Sequence, residues 1–348
     1  MSDHVALYRK YRPHSFAEVR NQDHIVSVLK GAIEKQQIPH ALLFAGTRGT
    51  GKTTLARIFA KEIGVSGVDL YEIDAASNRG IDDIRELREA VHTAPYESKY
   101  KVYIIDEVHM LTKEAFNALL KTLEEPPSHV VFMLATTEVE KLLDTILSRC
   151  QVFTMREPSR ATIAALVIDT AKQEGFTLEQ DAAELIAIAA DGSFRDALSV
   201  TQKVLLASGD KVGEADEVAA IIGAPRKATL QALLRAMSAN DTEAALTAIG
   251  EAAEAHADMK LFLRVILERV RAVMLLRNMP GKTEELMKAF SEEDQALLTE
   301  LAKDASSALN SHALLRLLAV SGQMNAVQLQ HLPLELAIVD ITSPAATT

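Results

Sequence analysis

Cysteine is almost absent from this chain of 348 residues, which contains a single one, Cys150, and tryptophan is missing altogether. One cysteine excludes internal disulfide bonds and any zinc site built from several thiolates. No run approaches 18 apolar residues, so we expect no membrane-spanning helix and no membrane partner. The N-terminus, which begins with residues 1–4, has no apolar core of a signal peptide. Together with the single cysteine, this predicts a reducing, cytoplasmic location.

Basic residues are fewer than acidic ones: the chain has 37 Lys and Arg and 48 Asp and Glu, which gives a formal net charge of −11. This balance argues against a protein that coats nucleic acid with its whole surface. A local basic surface, or a basic channel formed by several subunits, stays open. The hydrophobic share of 48% is ordinary for a globular protein, and the length predicts two or three domains.

Short apolar runs alternate with helical stretches through the first 157 residues, which is the pattern of a parallel α/β sheet. The expected strands are 41–45, 69–74, 101–106, 130–136 and 151–155. Those at 101–106 and 130–136 are nearly all apolar, as strands covered on both faces should be. Helices are expected between strands, among them Ile81 to Val91 and Thr112 to Leu123.

Two shifts in composition divide the rest of the chain. Pro158 opens a stretch that reads as helices only, and Gly223 opens a second one rich in Ala, Leu and Glu. The expected domains are therefore 1–157, 158–222 and 223–342, with a tail at 343–348. An apolar stripe within 261–276 is either the core of the third domain, the preferred interpretation, or a subunit interface.

The most specific motif is Gly46-Thr-Arg-Gly-Thr-Gly-Lys-Thr53, which matches the phosphate-binding P-loop pattern. A buried strand precedes it and a helix follows, a context that a chance glycine-rich turn would lack. The glycines let backbone N–H groups wrap around phosphates, and the helix N-terminus adds partial positive charge. Lys52 would reach the β- and γ-phosphates of ATP, and the Thr53 hydroxyl would ligate Mg²⁺. The expected nucleotide contacts are Gly46, Thr47, Arg48, Gly49, Thr50, Gly51, Lys52, Thr53 and Thr54.

An acidic pair, Asp106-Glu107, ends the strand at 101–106. In P-loop proteins this is the Walker B position. Asp106 would hold Mg²⁺, and Glu107 would orient and polarise the attacking water, which makes the site hydrolytic. The alternative is a solvated acidic pair in a loop.

Three other polar residues are candidates for which spacing alone leaves two interpretations open. Thr137, after the strand at 130–136, either contacts the γ-phosphate or positions the attacking water, or it only caps the strand end. Arg149 either enters the ATP site of a neighbouring subunit or lies on the surface. Arg195, in a helix that begins with Ser193 as N-cap, either folds over the nucleotide or is exposed or paired with Asp196.

The basic, aromatic segment Tyr8–Pro13 is a candidate for binding adenine or DNA. Basic residues on helices beside the sheet could follow a phosphate backbone, although helix surfaces commonly carry such charges. They are Arg79, Arg85, Arg88, Lys113 and Lys121.

These motifs together resemble those of the AAA+ clamp-loader ATPases, and most closely the bacterial DNA polymerase III gamma/tau family. The resemblance covers roughly residues 5–210, in long, ordered and specific stretches. They are Tyr8–Pro13, Phe44–Thr53, Glu72–Ser77, Lys101–Leu111, Phe116–Pro127, Ile146–Cys150 and Gly192–Leu198. Over the C-terminal third only helical character and length agree.

The resemblance implies roles that spacing leaves open. Thr137 matches the first sensor, Arg195 the second sensor, and Arg149 the arginine finger that acts on the ATP of an adjacent subunit. Arg12 and Pro13 fall in the segment that lines the adenine pocket.

The fold implied by the resemblance is an α/β P-loop AAA+ domain with a parallel five-stranded sheet (1–157), an all-α lid (158–222) and an all-α collar (223–342). The collar would hold a ring of five subunits. The chain would be an ATP-hydrolysing motor subunit, not itself the polymerase. With ATP, Mg²⁺ and the other loader subunits, it would open a sliding clamp and load it onto primed DNA.

The chain departs from the bacterial family in one respect. The family usually carries a four-cysteine zinc insert between the P-loop helix and the second strand, whereas Glu62–Asp69 joins them directly here. No zinc is therefore expected. Archaeal and eukaryotic small clamp-loader subunits also lack the insert, so that relationship stays open. A tau-type extension is expected to be absent.

Two other functions stay open. A DNA-remodelling AAA+ ATPase, for branch migration or replication-fork maintenance, would share the P-loop, the acidic pair and the sensors. It would replace the collar with a winged-helix or tetramerising domain, and no basic winged-helix signature follows residue 223. A structural ring subunit that binds ATP without turnover is disfavoured, because Lys52, Asp106 and Glu107 are all present.

Overall fold

The structure is a computed structural model. It describes residues 5–78, 80–208, 212–279, 281, 287, 290–304, 307–324 and 327–343. The chain divides into two compact units, one of residues 1–162 with 192–196, the other of residues 163–191 with 197–348. Arg79 and residues 344–348 of the expected tail lie outside the described residues.

A five-stranded parallel sheet forms the centre of the first unit, as the sequence predicts. Its strands are β1 (Ala41–Ala45), β2 (Leu70–Asp74), β3 (Lys101–Asp106), β4 (Val130–Thr136) and β5 (Gln151–Thr154). The order across the sheet is β2-β3-β4-β1-β5. Because all strands are parallel, the carboxyl ends of β3, β4 and β1 lie side by side at one edge, where open α/β sheets bind ligands.

Alternate side chains of the central strands enter two separate apolar layers. Leu42 and Phe44 of β1 lie in one layer with Ile104 of β3, whereas Leu43 lies in the other with Ile105. All five are fully buried. Burial on both faces explains why these strands read as nearly unbroken apolar runs.

Two helices that were not predicted precede β1, and the other helices of this unit lie between strands, as expected. The helices are α1 (Leu7–Lys10), α2 (Asp23–Glu34), α3 (Lys52–Glu62), α4 (Ile81–Val91), α5 (Lys113–Glu124) and α6 (Asp144–Leu147). The start of α5 is fixed as predicted, since Thr112 is its N-cap and accepts the Ala115 N–H at 3.2 Å.

After residue 157 the described chain is almost entirely helical, as expected. The helices are α7 (Arg160–Gln173), α8 (Gln180–Ala189), α9 (Phe194–Ala207), α10 (Ala215–Ile222), α11 (Lys227–Ser238), α12 (Thr242–Glu254), α13 (Met259–Asn278), α14 (Glu292–Lys303), α15 (Ser311–Gln323) and α16 (Leu332–Thr342). Two short strands, Thr177–Leu178 and Val212–Gly213, pair in parallel and were not predicted. The division of this region into lid and collar stays a prediction.

The core of the second unit surrounds α13. Phe262, Val265, Ile266 and Val270 are fully buried in one apolar cluster. The stripe within 261–276 therefore forms a core, which was the preferred of its two interpretations. Among the described helices of the whole chain, none is both long and apolar enough to span a membrane.

Candidate nucleotide site

The loop between β1 and α3 has the backbone conformation that a phosphate cradle requires. Gly49 and Gly51 have φ angles of 77° and 99°, in the left-handed region that residues with a Cβ avoid. Position 49 also lacks space, because a Cβ there would lie 1.9 Å from Ser193 Oγ. The Gly49 carbonyl accepts the Phe194 N–H at 3.1 Å, which keeps the two segments close. Glycine is thus required at position 49 for two independent reasons.

Lys52 is the first residue of α3, and its ammonium lies inside the loop. The residue is only 6% exposed, and its Nζ donates to the Gly46 carbonyl at 2.8 Å and to the Thr47 carbonyl at 2.9 Å. Burial lowers the pKa of Lys52, and the carboxylates of Glu107 and Asp106 at the end of β3 oppose that shift. A cation at a helix N-terminus, surrounded by a tight turn of backbone, is suited to bind an anion such as phosphate.

Thr53 and Asp106 bring a hydroxyl and a carboxylate together beside Lys52. Thr53 Oγ1 donates to Asp106 Oδ2 at 2.8 Å, and Asp106 Oδ1 accepts the Glu107 N–H at 3.0 Å. Mg²⁺ prefers oxygen ligands and takes several of them from water and substrate phosphates. The Thr53 hydroxyl and the Asp106 carboxylate are oxygen ligands of this kind, and they fit a Mg²⁺ ion that arrives with a nucleotide.

Glu107 lies at the end of β3 in an unusual backbone conformation. Its φ of 47° is left-handed, which costs a residue with a Cβ on the order of 1–2 kcal/mol. Its Oε2 accepts the Thr137 hydroxyl at 3.0 Å and the Thr137 N–H at 3.3 Å. The structure thus joins the two residues expected to handle the attacking water, one from each of two neighbouring strands.

Arg12 is half-buried close to this edge of the sheet. Burial lowers its pKa below the usual value, and the nearby Arg57 and Arg195 act in the same direction. Glu72 and Asp106 oppose the shift. Arg12 therefore contributes positive charge near the Walker B carboxylate, while its expected role in an adenine pocket stays a prediction.

Arg195 lies at the start of α9, whose predicted N-cap is present. Ser193 Oγ accepts the Asp196 N–H at 3.1 Å. The guanidinium carbon of Arg195 lies 5.0 Å from the centre of the Tyr8 ring, within range of a cation–π contact. Asp196 instead approaches Arg48 at 4.0 Å. The structure thus links Arg195 to the N-terminal basic segment.

The other predicted contacts differ in exposure. Thr47 and Arg48 are exposed, whereas Thr54 and Pro13 are half-buried. Thr50 is buried, and its hydroxyl donates to the Thr47 carbonyl at 2.9 Å, which tightens the loop.

Arg149 is not bonded to the loop. Its Nη2 donates to Glu124 Oε1 at 2.5 Å and its Nη1 to the Thr145 carbonyl at 2.6 Å. Its side chain is 31% exposed. Arg149 is thus a partly exposed residue that is paired within its own chain, and its expected role at a neighbouring subunit stays a prediction.

One residue that sequence reasoning gave no role lies among these groups. His109 follows Glu107 by two residues, and its side chain is only 5% exposed. The sequence did contain one indication of this residue. His109 is a polar residue between the apolar Val108 and Met110, directly after the acidic pair.

Three family models match successive parts of the chain. The DNA polymerase III delta subunit model matches residues 66–159, and the model of the ATPase lid domain of a DNA polymerase III clamp loader subunit matches residues 163–210. The model of domain III of DNA polymerase III subunits gamma and tau matches residues 213–330.

Curated relatives show the same similarity along the chain. The DNA polymerase III subunit tau of Bacillus subtilis is 38% identical over 85% of this chain and 56% of its own length. The gamma/tau subunit of Mycobacterium tuberculosis is 34% identical over 99% of this chain and 63% of its own. The tau subunit of Escherichia coli is 39% identical over 79% of this chain and 46% of its own length. The chain spans about half to two thirds of the length of these relatives.

Solved structures confirm the fold class. The RuvB Holliday junction branch migration motor of Thermotoga maritima aligns with a TM-score of 0.52 over 69% of this chain and 85% of its own, at 21% identity. At that identity the likeness shows a shared fold and nothing about the activity.

Proposed function

Because this chain belongs to the family of DNA polymerase III gamma and tau subunits, we propose that it is an ATP-hydrolysing motor subunit of a sliding-clamp loader. The observation that carries the proposal is the group of side chains at the carboxyl edge of the sheet. Lys52 lies inside a glycine loop, Thr53 lies 2.8 Å from Asp106, and Glu107 is held by Thr137.

Residues 46–54 would hold the phosphates of ATP, and Thr53 with Asp106 would ligate Mg²⁺. ATP supplies the phosphoryl group that is hydrolysed, and Mg²⁺ neutralises part of its charge. Lys52 already donates to two carbonyl oxygens of the loop, so phosphate oxygens would replace acceptors of the same kind.

Glu107 would orient the attacking water and accept its proton. Thr137 would fix the carboxylate for that task, since it donates both its hydroxyl and its N–H to the same oxygen. A carboxylate held by two donors loses little conformational freedom when the water binds, which lowers the entropic part of the barrier.

Arg149 would act on the ATP of a neighbouring subunit, and Arg195 would sense the nucleotide bound by its own chain. This assignment requires an assembly, for which we propose a ring of five clamp-loader subunits acting on a sliding clamp and primed DNA. The adenine contacts of Arg12 and Pro13, and the cytoplasmic location, belong to the same proposal.

The decisive experiment is steady-state ATP hydrolysis by the full chain, assembled with the other loader subunits of its source. It is measured alone, with the sliding clamp, with primed DNA and with both. We expect the clamp and primed DNA to stimulate turnover jointly, and Lys52→Ala to abolish it. Stimulation by DNA that is indifferent to the clamp would favour a DNA-remodelling ATPase. Absence of hydrolysis under every condition would favour a structural subunit.

A further inference from the structure

His109 bridges the two chain segments that carry Glu107 and Thr137. Its Nδ1 lies 2.9 Å from Thr136 Oγ1, and its Nε2 lies 3.1 Å from Glu138 Oε1. The imidazole therefore contacts the residue before Thr137 and the residue after it. Its Nδ1 edge also lies 3.5 Å from Glu107 Oε2.

The Glu138 carboxylate only accepts, so the Nε2 that faces it carries the proton of a neutral imidazole. Nδ1 then accepts the Thr136 hydroxyl in the neutral ring and donates to it in the protonated ring, so the contact with Thr136 persists in both forms. The Thr136 oxygen accepts the Glu138 N–H at 3.1 Å, which closes a ring of polar contacts around residues 136–138.

The same ring holds the end of β4 in place next to a strained turn. His109 lies in the 3₁₀ turn Val108–Met110, which follows the left-handed Glu107. A strained conformation persists only where surrounding contacts over-determine it. The imidazole is anchored on one side by the turn that carries Glu107 and on the other by the strand end that carries Thr137. His109 thus contacts polar side chains on both sides of Thr137, with a hydrogen bond to Thr136 and a close approach to the Glu138 carboxylate.

We propose that His109 is a positioning residue for ATP hydrolysis, which keeps the Glu107 carboxylate and the Thr137 hydroxyl within one hydrogen bond of each other. The inference rests on the proposed hydrolytic function. His109 touches neither the loop 46–54 nor Asp106 in these contacts, so it acts on the chemical step through Glu107 and leaves nucleotide binding to the loop.

The test uses three variants of the full chain and one matched control. His109→Leu removes both nitrogens, His109→Asn keeps a polar group near the place of Nδ1, and His109→Gln keeps one near the place of Nε2. The control is His129→Leu, because His129 is bonded to the backbone carbonyls of Val91 and Thr93 at 3.2 and 3.1 Å, at the opposite edge of the sheet.

Each chain is assayed in the assembled loader with clamp and primed DNA, for kcat and KM. A fluorescent ATP analogue reports affinity, and thermal unfolding reports stability.

We expect His109→Leu to lower kcat about 10- to 100-fold, because a misplaced catalytic group costs about that much. The affinity for the analogue should stay within about threefold. His109→Asn should recover part of the lost kcat, because it restores the contact with Thr136 next to Glu107, and His109→Gln should recover less. His129→Leu should keep kcat within about twofold, whatever stability it loses.

A His109→Leu chain with kcat within about twofold of the unaltered chain would overturn the inference while leaving the proposed function intact. So would a loss of kcat that is matched by an equal loss of affinity and that His109→Asn does not restore, since this is the result of a purely structural histidine. An unaltered chain without any hydrolysis would overturn the proposed function and this inference together.

Discussion

The two edges of the central sheet each contain a buried lysine, and the two lysines differ in what satisfies them. Lys52 at the carboxyl edge is 6% exposed, and Lys101 at the amino edge is 3% exposed. Burial lowers the pKa of both. Lys101 donates to the Ala90 carbonyl and the Thr93 hydroxyl, both at 2.7 Å, where it completes the end of α4. Lys52 donates to carbonyls of a partly exposed loop, which phosphate oxygens can replace.

The aspartates at the two edges differ in the same way. Asp69 lies before β2 and accepts the N–H groups of Tyr96, Glu97 and Ser98 at 2.5, 2.9 and 2.7 Å. Asp106 accepts one hydroxyl and one N–H, both from residues of the candidate site. The chain itself therefore satisfies Lys101 and Asp69 at the amino edge, whereas at the carboxyl edge Lys52 can exchange loop carbonyls for phosphate oxygens and Asp106 has oxygens that a metal ion can bind. This contrast separates structural from functional polar groups within one sheet.

Replacement of Lys52 is expected to give the largest effect. Lys52→Ala should lower ATP turnover at least 10²- to 10³-fold, because it removes a preorganised charge that faces the phosphates. The free energy of unfolding should fall by less than about 1 kcal/mol, since water can reach the loop carbonyls that it leaves. Steady-state hydrolysis and urea denaturation measure the two quantities. Turnover near that of the unaltered chain would remove Lys52 from the site.

Glu107→Gln should lower turnover about 100-fold while ATP still binds, because an amide cannot accept the proton of the attacking water. The variant keeps the shape of the side chain and an oxygen for the Thr137 donors. Single-turnover hydrolysis and analogue binding separate the two steps. Glu140→Gln, at an exposed position after β4, is the control for loss of one negative charge and should hydrolyse normally. Rapid turnover by Glu107→Gln would exclude Glu107 as the base.

The contrast between the edges was only partly predictable from the sequence. The P-loop, the acidic pair and Thr137 follow strands whose apolar runs are unmistakable, and parallel strands bring their carboxyl ends together. The spacing therefore predicted that Lys52, Asp106, Glu107 and Thr137 would be neighbours, and the structure places them so.

What the sequence did not predict depends on contacts between distant segments. His109 finds its partners 27 and 29 residues away, at the end of another strand. The paired strands Thr177–Leu178 and Val212–Gly213 are too short to leave a periodic pattern. In the sequence Lys101 is one polar residue in an apolar strand. Its role could not be predicted, because its acceptors lie at the end of a helix that is distant in the sequence. The proposed role of Arg149 requires a second chain, which the sequence of one chain does not contain.

Lys101→Ala tests the structural edge directly. It should lower the free energy of unfolding by about 2–3 kcal/mol, because it removes the donor to the Thr93 hydroxyl oxygen and opens space beside Tyr71 and Tyr103, although the Ala90 carbonyl still accepts the Thr93 hydroxyl. Turnover below the melting transition should remain within about twofold, the reverse of the Lys52→Ala result. Denaturation and hydrolysis measured on the same preparations provide the comparison. A loss of turnover without a loss of stability would mean that the two edges are not separate.

Asp69→Asn gives the smallest expected effect, but its dependence on pH is specific. The three backbone N–H donors lower the pKa of Asp69 from 3.8 to about 2, against the opposing effect of its burial. Because the folded-state pKa lies below the unfolded one, the carboxylate stabilises the fold fully above about pH 4. That contribution is lost as the pH falls from about 4 towards 2. We expect the free energy of unfolding of Asp69→Asn to be lower by about 1–2 kcal/mol at pH 7, and this gap from the unaltered chain to shrink by pH 3.

Asp82→Asn is the control, because that side chain is 87% exposed and its replacement should leave the pH profile unchanged. A gap of the same size at pH 7 and pH 3 would mean that the charge of Asp69 does not organise the loop 96–98, and the amino edge would then owe its rigidity to Lys101 and apolar packing alone.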